Sequence, residues 1–349
     1  MTACALYGQV LPQRLLRPLR PGELTPPHED ARSDAEALDV LEQGGSAWAL
    51  DPYAGCELAC AHCGALSART SEPGAPPSAP RVPSSPRVLA KQGAAELLRS
   101  ELRRAAAQGQ LTRTIVLGAA SDPWQPLEAR ERVTRSLLQV LLEVAERAGR
   151  DHAPRLLIST RSPLVVRDLE LLRALDRALH LRVGISLTTL DPDLAARLEP
   201  GAPAPARRLG ALEALARAGL VAGVLCQPVL PELTESPRDL RRVVCAARAA
   251  RARFLGARLL SLRGEGRRVF FGWLGRERPD LLRAYARMYH GPLPPEAVRE
   301  RVRRVLSALR AQYGLVPWVS FPALPDAQRG LFGSARGAPL PTLRIEPAA

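Results

Sequence analysis

Residues 47–63, AWALDPYAGCELACAHC, decide how this chain is read: an apolar run over 47–50, a turn through Asp51, Pro52, Tyr53 and Gly55, then cysteines at 56, 60 and 63. The CxxxCxxC spacing brings three thiolates onto one loop. Three suffice for three irons of a cubane, whereas an electron-transfer cluster takes four cysteines, so the fourth iron would stay open to a chelating molecule. A structural zinc site, completed by His62 or a distant histidine, is the other reading. His62 lies between two of the cysteines, which makes tetrahedral coordination awkward, and no second CxxC half occurs in the sequence. The spacing favours a cluster and leaves zinc, or three idle thiols, as alternatives.

Downstream, short apolar runs bounded by turn residues alternate with helical patterns, the mark of repeated βα units. Strands are expected at 113–117, 155–159, 181–187, 220–226 and 254–260, with helices at 94–107, 131–147, 166–179, 206–218 and 237–251. Adding 47–50 as a first strand completes six units. Strands that are apolar throughout belong to a parallel sheet covered on both faces. The expected fold is therefore α/β, a partial (β/α)6 TIM-like barrel with extra N- and C-terminal segments. Ligands of such sheets sit at the carboxyl ends of the strands, which is where the cysteine loop emerges. The expected organisation is an extension over 1–45, a core over 46–270 with a Pro/Ser-rich loop at 72–88, a helical segment over 271–334 and a tail at 335–349. The helical pattern at 279–313 is expected to pack against the end of the barrel.

Six cysteines in 349 residues, three of them packed between 56 and 63, do not form a disulfide framework and suit a reducing compartment. The opening residues lack the order of a secretory signal. No apolar run is long enough to span a bilayer. A cytoplasmic protein with no membrane association is expected. The formal charge of +14 invites a nucleic-acid partner, but Lys91 is the sole lysine and the arginines are spread along the chain. A solvated arginine-rich surface is the preferred account of the charge, with a polyanion partner as the alternative.

DPYAGCELACAHC resembles the cluster loop of the spore photoproduct lyase-like (DNA repair photolyase-like) branch of the radical S-adenosylmethionine (SAM) superfamily. The likeness continues in order through KQGAAELLRSELRR from Lys91, LGAASDPWQPLEARERVTRSLLQVL from Leu117 and STRSPLVVRDLELL from Ser159. GISLTTLDPDLAARLEPGAPAPARRL from Gly184 and CQPVLPELTES from Cys226 complete it, so that it spans roughly 47–290. The resemblance implies a 4Fe-4S cluster on Cys56, Cys60 and Cys63, with SAM on the open iron. It implies reductive cleavage of SAM to a 5′-deoxyadenosyl radical, fed by an electron donor such as flavodoxin or ferredoxin. Ser121 and Ser186 match positions expected to touch SAM. Arg161 stands where a lysine is common and keeps a cation for the SAM carboxylate; Arg208 is a further candidate for that purpose.

The chain also departs from the branch. The lyase's hydrogen-donating cysteine is replaced by Ala119, and its aromatic residues beside the last cluster cysteine by His62 and Gly64. Alanine has no S–H to give, which argues against repair of spore photoproduct itself. Glu128 and Glu199 fall in shared motifs, and pairing with arginines is the ordinary fate of such carboxylates. Cys226, expected to face the pocket, reads as a small buried thiol or as a hydrogen donor. The competing reading of the whole chain is a non-catalytic protein in which a cluster or zinc organises a nucleic-acid or partner surface.

Overall fold

The computed structural model describes residues 7–10, 12, 14–18, 47–63 and 88–318. The tail at 335–349, most of the 1–45 extension and the 72–88 loop apart from Val88 lie outside the described residues, as does Gly64. The chain begins with β1 (Tyr7–Val10) and β2 (Arg17–Pro18), then β3 (Trp48–Leu50), β4 (Tyr53–Ala54), β5 (Val88–Lys91) and α1 (Ala94–Ala107). Next come β6 (Thr114–Leu117), α2 (Glu128–Glu131) and α3 (Val133–Ala148), followed by β7 (Arg155–Thr160), a 3-10 turn (Pro163–Asp168) and α4 (Leu169–Ala178). β8 (Leu181–Ser186) leads into α5 (Pro192–Leu198) and α6 (Pro205–Arg217), and β9 (Ala222–Val229) into α7 (Pro237–Ala249). β10 (Phe254–Leu259), α8 (Gly264–Glu277), α9 (Leu282–Met288) and α10 (Glu296–Tyr313) close the described fold.

The main sheet runs β10-β9-β8-β7-β6-β3-β2, parallel throughout except for the antiparallel β2-β3 pair. Its six parallel strands form the expected partial TIM-like barrel. A small second sheet, β1-β5-β4, was not anticipated, because strands of two to four residues carry too little pattern to read. Strand β9 runs past Cys226 to Val229. Pro228 is accommodated there because the β9-β10 ladder changes register between Ala257 and Leu259, so its missing N–H breaks no regular rung.

Alternation along the strands divides the core into two layers. Ile115, Leu117, Ile158, Val183, Ile185 and Val224 face the helices. Val116, Leu157, Leu225 and Phe254 fill the interior, joined by Trp318. Glycine is required opposite them: a Cβ on Gly223 would overlap the Phe254 ring and carbonyl, and one on Gly184 the Leu225 side chain. Beyond α10 the chain returns alongside β10, with Leu255 N donating to Val316 O at 3.0 Å and Val316 N to Arg253 O at 3.2 Å. That return delivers Trp318 to the amino end of the interior.

At the opposite end, Ser or Asp followed by Pro starts the helical turn after three successive strands. The Ser162, Asp191 and Ser236 side chains each cap such a turn, with proline at its first positions. The segment expected to pack on the barrel end divides. Tyr285 and Tyr289 join α8 in a cluster over Leu230, Leu260 and the loop residue Ala61, while Val302, Leu306 and Leu309 of α10 join the outer core beside α7.

Candidate functional site

The cysteine loop is tied on one side to the turn after β6. Asp51 Oδ1 accepts the amides of Ala120 (2.8 Å) and Ser121 (3.1 Å), and its Oδ2 lies 3.1 Å from Arg17 Nη2. Glu57 and Gln125 complete the seam: Glu57 N donates to Gln125 Oε1 at 2.8 Å, and Leu127 N to Glu57 Oε2 at 2.6 Å. On its other side the loop rests on the turn after α5. Ala61 N donates to Leu198 O at 2.8 Å and Gly201 N to Leu58 O at 3.1 Å. A Cβ on Gly201 would overlap the Glu57 carbonyl and the Leu58 backbone, so this contact requires glycine.

Between these seams the loop carries Cys56, Cys60 and Cys63, all free thiols. Burial, reinforced by Asp122, pushes the Cys56 thiol up to about 12. Cys60 is held well above the ordinary thiol range by burial, against the opposing pull of Arg161. Burial disfavours the thiolates of Cys56 and Cys60, which the positive charge of a bound metal would stabilise.

Behind Cys60 lies a buried carboxylate. Glu199, 1% exposed, receives His62 Nε2 at 2.9 Å, Arg161 Nε at 3.1 Å and Thr188 Oγ1 at 2.7 Å on Oε1. Arg208 Nη1 lies 2.6 Å from Oε2. Burial would raise this acid, but Arg161, His62 and Arg208 together bring it well below the carboxylate range. Burial likewise lowers His62, with Glu199 opposing. The donor atoms of Cys60, His62 and Glu199 fall within 4.8 Å of one another, a spacing that could admit a single metal ion. Two guanidinium groups already neutralise the carboxylate, so a dication there would meet two fixed positive charges.

Ser121, Ser186 and Arg161 gather at the mouth of the barrel. Ser121 Oγ is buried and has no hydrogen-bond partner among the described residues. Gln227 Nε2 donates to Ser159 Oγ at 2.9 Å and Ser186 Oγ at 3.2 Å. Arg161 Nη2 donates to Gln227 O at 2.8 Å, and Arg161 N to Asp122 Oδ2 at 2.6 Å. Asp122, whose burial raises it despite these bonds, also accepts from Thr160 Oγ1 at 2.7 Å. Asp122 thus does more than shape a turn. Arg208 is 1% exposed, its guanidinium directed at Glu199, Pro203 O (2.6 Å) and Ser186 O (3.2 Å).

Glu128 is structural. Fully buried, it accepts from Tyr53 OH, Thr134 N and Arg167 Nη2, filling the open amino end of α3. Cys226 corrects the expectation that it faces the pocket: it lies in the outer core against the helices, 3% exposed, and burial pushes its thiol up to about 12. One position of alternation separates it from the inward Gln227. Asp51, Thr160, Thr188 and Gln227 were missed as site residues. A polar side chain at the last positions of an otherwise apolar strand was the available signal for Gln227.

Residues 50–244 match the model of the Radical SAM superfamily, and the chain belongs to that superfamily. It is a radical SAM enzyme, and its cofactors are those of the family, a 4Fe-4S cluster and SAM. The chain is 31% identical over 288 residues to the uncharacterized protein Rv2578c of Mycobacterium tuberculosis, covering 81% of this chain and 79% of that one. It is 24% identical over 191 residues to the uncharacterized protein MJ0683 of Methanocaldococcus jannaschii, 55% of this chain and 63% of the other. A mutant of spore photoproduct lyase with bound AdoMet and dinucleoside spore photoproduct has a TM-score of 0.56 at 15% identity, over 76% of this chain and 74% of that chain. The two share a fold. The residues at the mouth fit the family's cofactors: three free thiols lie on one loop, and the orphaned Ser121 hydroxyl lies on the turn that Asp51 ties to it.

Proposed function

We propose that Cys56, Cys60 and Cys63 hold the 4Fe-4S cluster and that SAM lies against it, contacted by the Ser121 hydroxyl, Ser186 and Arg161. Bound there, the cluster and SAM would supply one-electron reductive cleavage of a carbon–sulfur bond and, through it, abstraction of hydrogen from the substrate. The chain's own residues orient and shield. Asp51 holds the Ser121 turn against the cluster loop; Arg161, anchored through Nε to Glu199 and through Nη2 to the Gln227 carbonyl, holds its guanidinium at the mouth for a carboxylate. Arg208, named with these as a candidate SAM contact, is placed to act through Ser186 by gripping its carbonyl.

The observation that carries this reading is the buried, unpartnered Ser121 Oγ beside a three-thiol loop. A hydroxyl left unsatisfied inside a protein is costly unless a ligand completes it. The electron donor is read as a small reducing protein such as flavodoxin or ferredoxin. The five described cysteines are free thiols, which suits a reducing, cytoplasmic setting. No helix among the described residues is long and apolar enough to cross a membrane.

Nucleic acid is the substrate class proposed. The net charge of +14 supports it, as does the dinucleoside bound in the structurally similar lyase. Ala119 in place of a thiol donor directs the proposal away from spore photoproduct itself. Anaerobic reconstitution followed by reduction with a strong chemical reductant should yield methionine and 5′-deoxyadenosine, and oligonucleotides should change that yield. A well-loaded cluster that releases neither product overturns the reading. One zinc per chain with no iron or sulfide would favour instead the ion site that Cys60, His62 and Glu199 could form.

A further inference from the structure

We propose that Glu199 is a positioning residue that fixes the cluster loop relative to Arg161 and to the end of β8; this rests on the assignment of Cys56, Cys60 and Cys63 as cluster ligands. A single carboxylate reaches three separate segments of the chain. His62, between Cys60 and Cys63, meets Oε1 at 2.9 Å across 137 residues of sequence. Arg161, from the turn after β7, meets the same oxygen at 3.1 Å. Arg208 meets Oε2 at 2.6 Å and carries the connection to the carbonyl of Ser186, the last residue of β8, at 3.2 Å.

The backbone around Glu199 reinforces this link. Leu198 O and Gly201 N both bond to the cluster loop, and Gly201 leaves the two segments no room to separate by a side chain. The turn at 198–201 is therefore the seat of the loop, and Glu199 connects that seat to the strand ends where SAM is placed. In this role the carboxylate is a partner of the cluster loop and of Arg161 rather than a ligand of cluster or SAM. It acts by holding those groups, as outer-shell partners of metal ligands commonly do.

The test compares three variants of the full chain, each reconstituted anaerobically. Glu199→Gln removes the charge at the centre of the link. His62→Ala cuts only the arm to the cluster loop and leaves the carboxylate paired with both arginines, so it serves even if Glu199→Gln does not fold. Trp318→Phe, in the amino-end plug, controls for lost stability. Two readouts are independent of turnover: the rate at which a chelator strips iron, and the SAM concentration needed to alter the electron paramagnetic resonance spectrum of the reduced cluster. Glu199→Gln and His62→Ala should release iron about 10- to 100-fold faster than wild type, and Glu199→Gln should need at least about tenfold more SAM. Trp318→Phe should match wild type in both. If His62→Ala releases iron at the wild-type rate, or if folded Glu199→Gln matches wild type in both readouts, the inference is overturned while the cluster assignment stands. A wild-type chain that takes up no iron and sulfide overturns both.

Discussion

The two ends of the barrel are built from the same strands on opposite principles. At the amino end Leu225, Phe254 and Trp318 pack into spaces that Gly184, Gly223 and Gly256 leave open. At the carboxyl end the interior positions carry Ser159, Ser186 and Gln227, with the Glu199 network alongside. Apolar filling gains stability with every group buried, whereas each buried charge at the mouth must be matched by a partner to avoid a loss. The difference implies that the fold is held from below and the chemistry performed above. The two ends should then respond separately to mutation.

Replacing Cys60 by alanine gives the largest expected effect. Iron and sulfide uptake should vanish, while the far-ultraviolet circular dichroism of the chain stays unchanged, because neither apolar layer includes that thiol. A variant that unfolds would show instead that the mouth helps to hold the barrel together. Trp318→Ala inverts the experiment. Deleting a large buried aromatic costs about 3–5 kcal/mol, to be read from denaturant unfolding, and SAM binding to the loaded protein should be unaffected.

This division was only partly legible in the sequence. The strands could be read because a doubly covered parallel strand is apolar throughout, and the 94–107 helix agrees with α1 at both ends. The cysteine loop could be read because its ligands are neighbours in the chain. The links that hold it are not neighbours: Asp51 meets Ser121 across 70 residues and Glu199 meets His62 across 137. A lone carboxylate in a motif does not reveal which distant cation will face it. Cys226 failed for a more local reason, since one step along a strand exchanges inside for outside, and the residue that faces inward is Gln227.

Ser121→Ala separates the two ends more finely. Among the described residues the hydroxyl has no partner to lose, so thermal stability should stay within about 0.5 kcal/mol of wild type. If it bonds SAM, the affinity should weaken roughly two- to tenfold, the range expected from one neutral hydrogen bond of about 0.5–1.5 kcal/mol. A SAM titration on the loaded variant reads this, and unchanged affinity removes Ser121 from the set of contacts.

The smallest effect should be one of pH, and it should belong to the mouth alone. Asp168 lies behind Trp124 of the SDPW turn, accepting from the indole Nε1 at 2.8 Å and from Arg167 Nη2 at 2.7 Å, with Arg135 beside it. Burial works to raise its pKa, but the bonds from Arg167, Trp124 and Arg135 outweigh it and hold the acid below the usual aspartate range. A carboxylate depressed by folding adds stability that is fully present above its unfolded pKa of about 3.9 and is lost as the pH falls through the lower folded value. Asp168→Asn should therefore be less stable than wild type near neutrality, with a gap that narrows as the pH drops below about 4. In Trp318→Ala nothing that titrates has been removed from the plug, so its deficit should stay level across the same window. Parallel melting curves for both variants would sink the contrast if the Asp168→Asn gap failed to narrow.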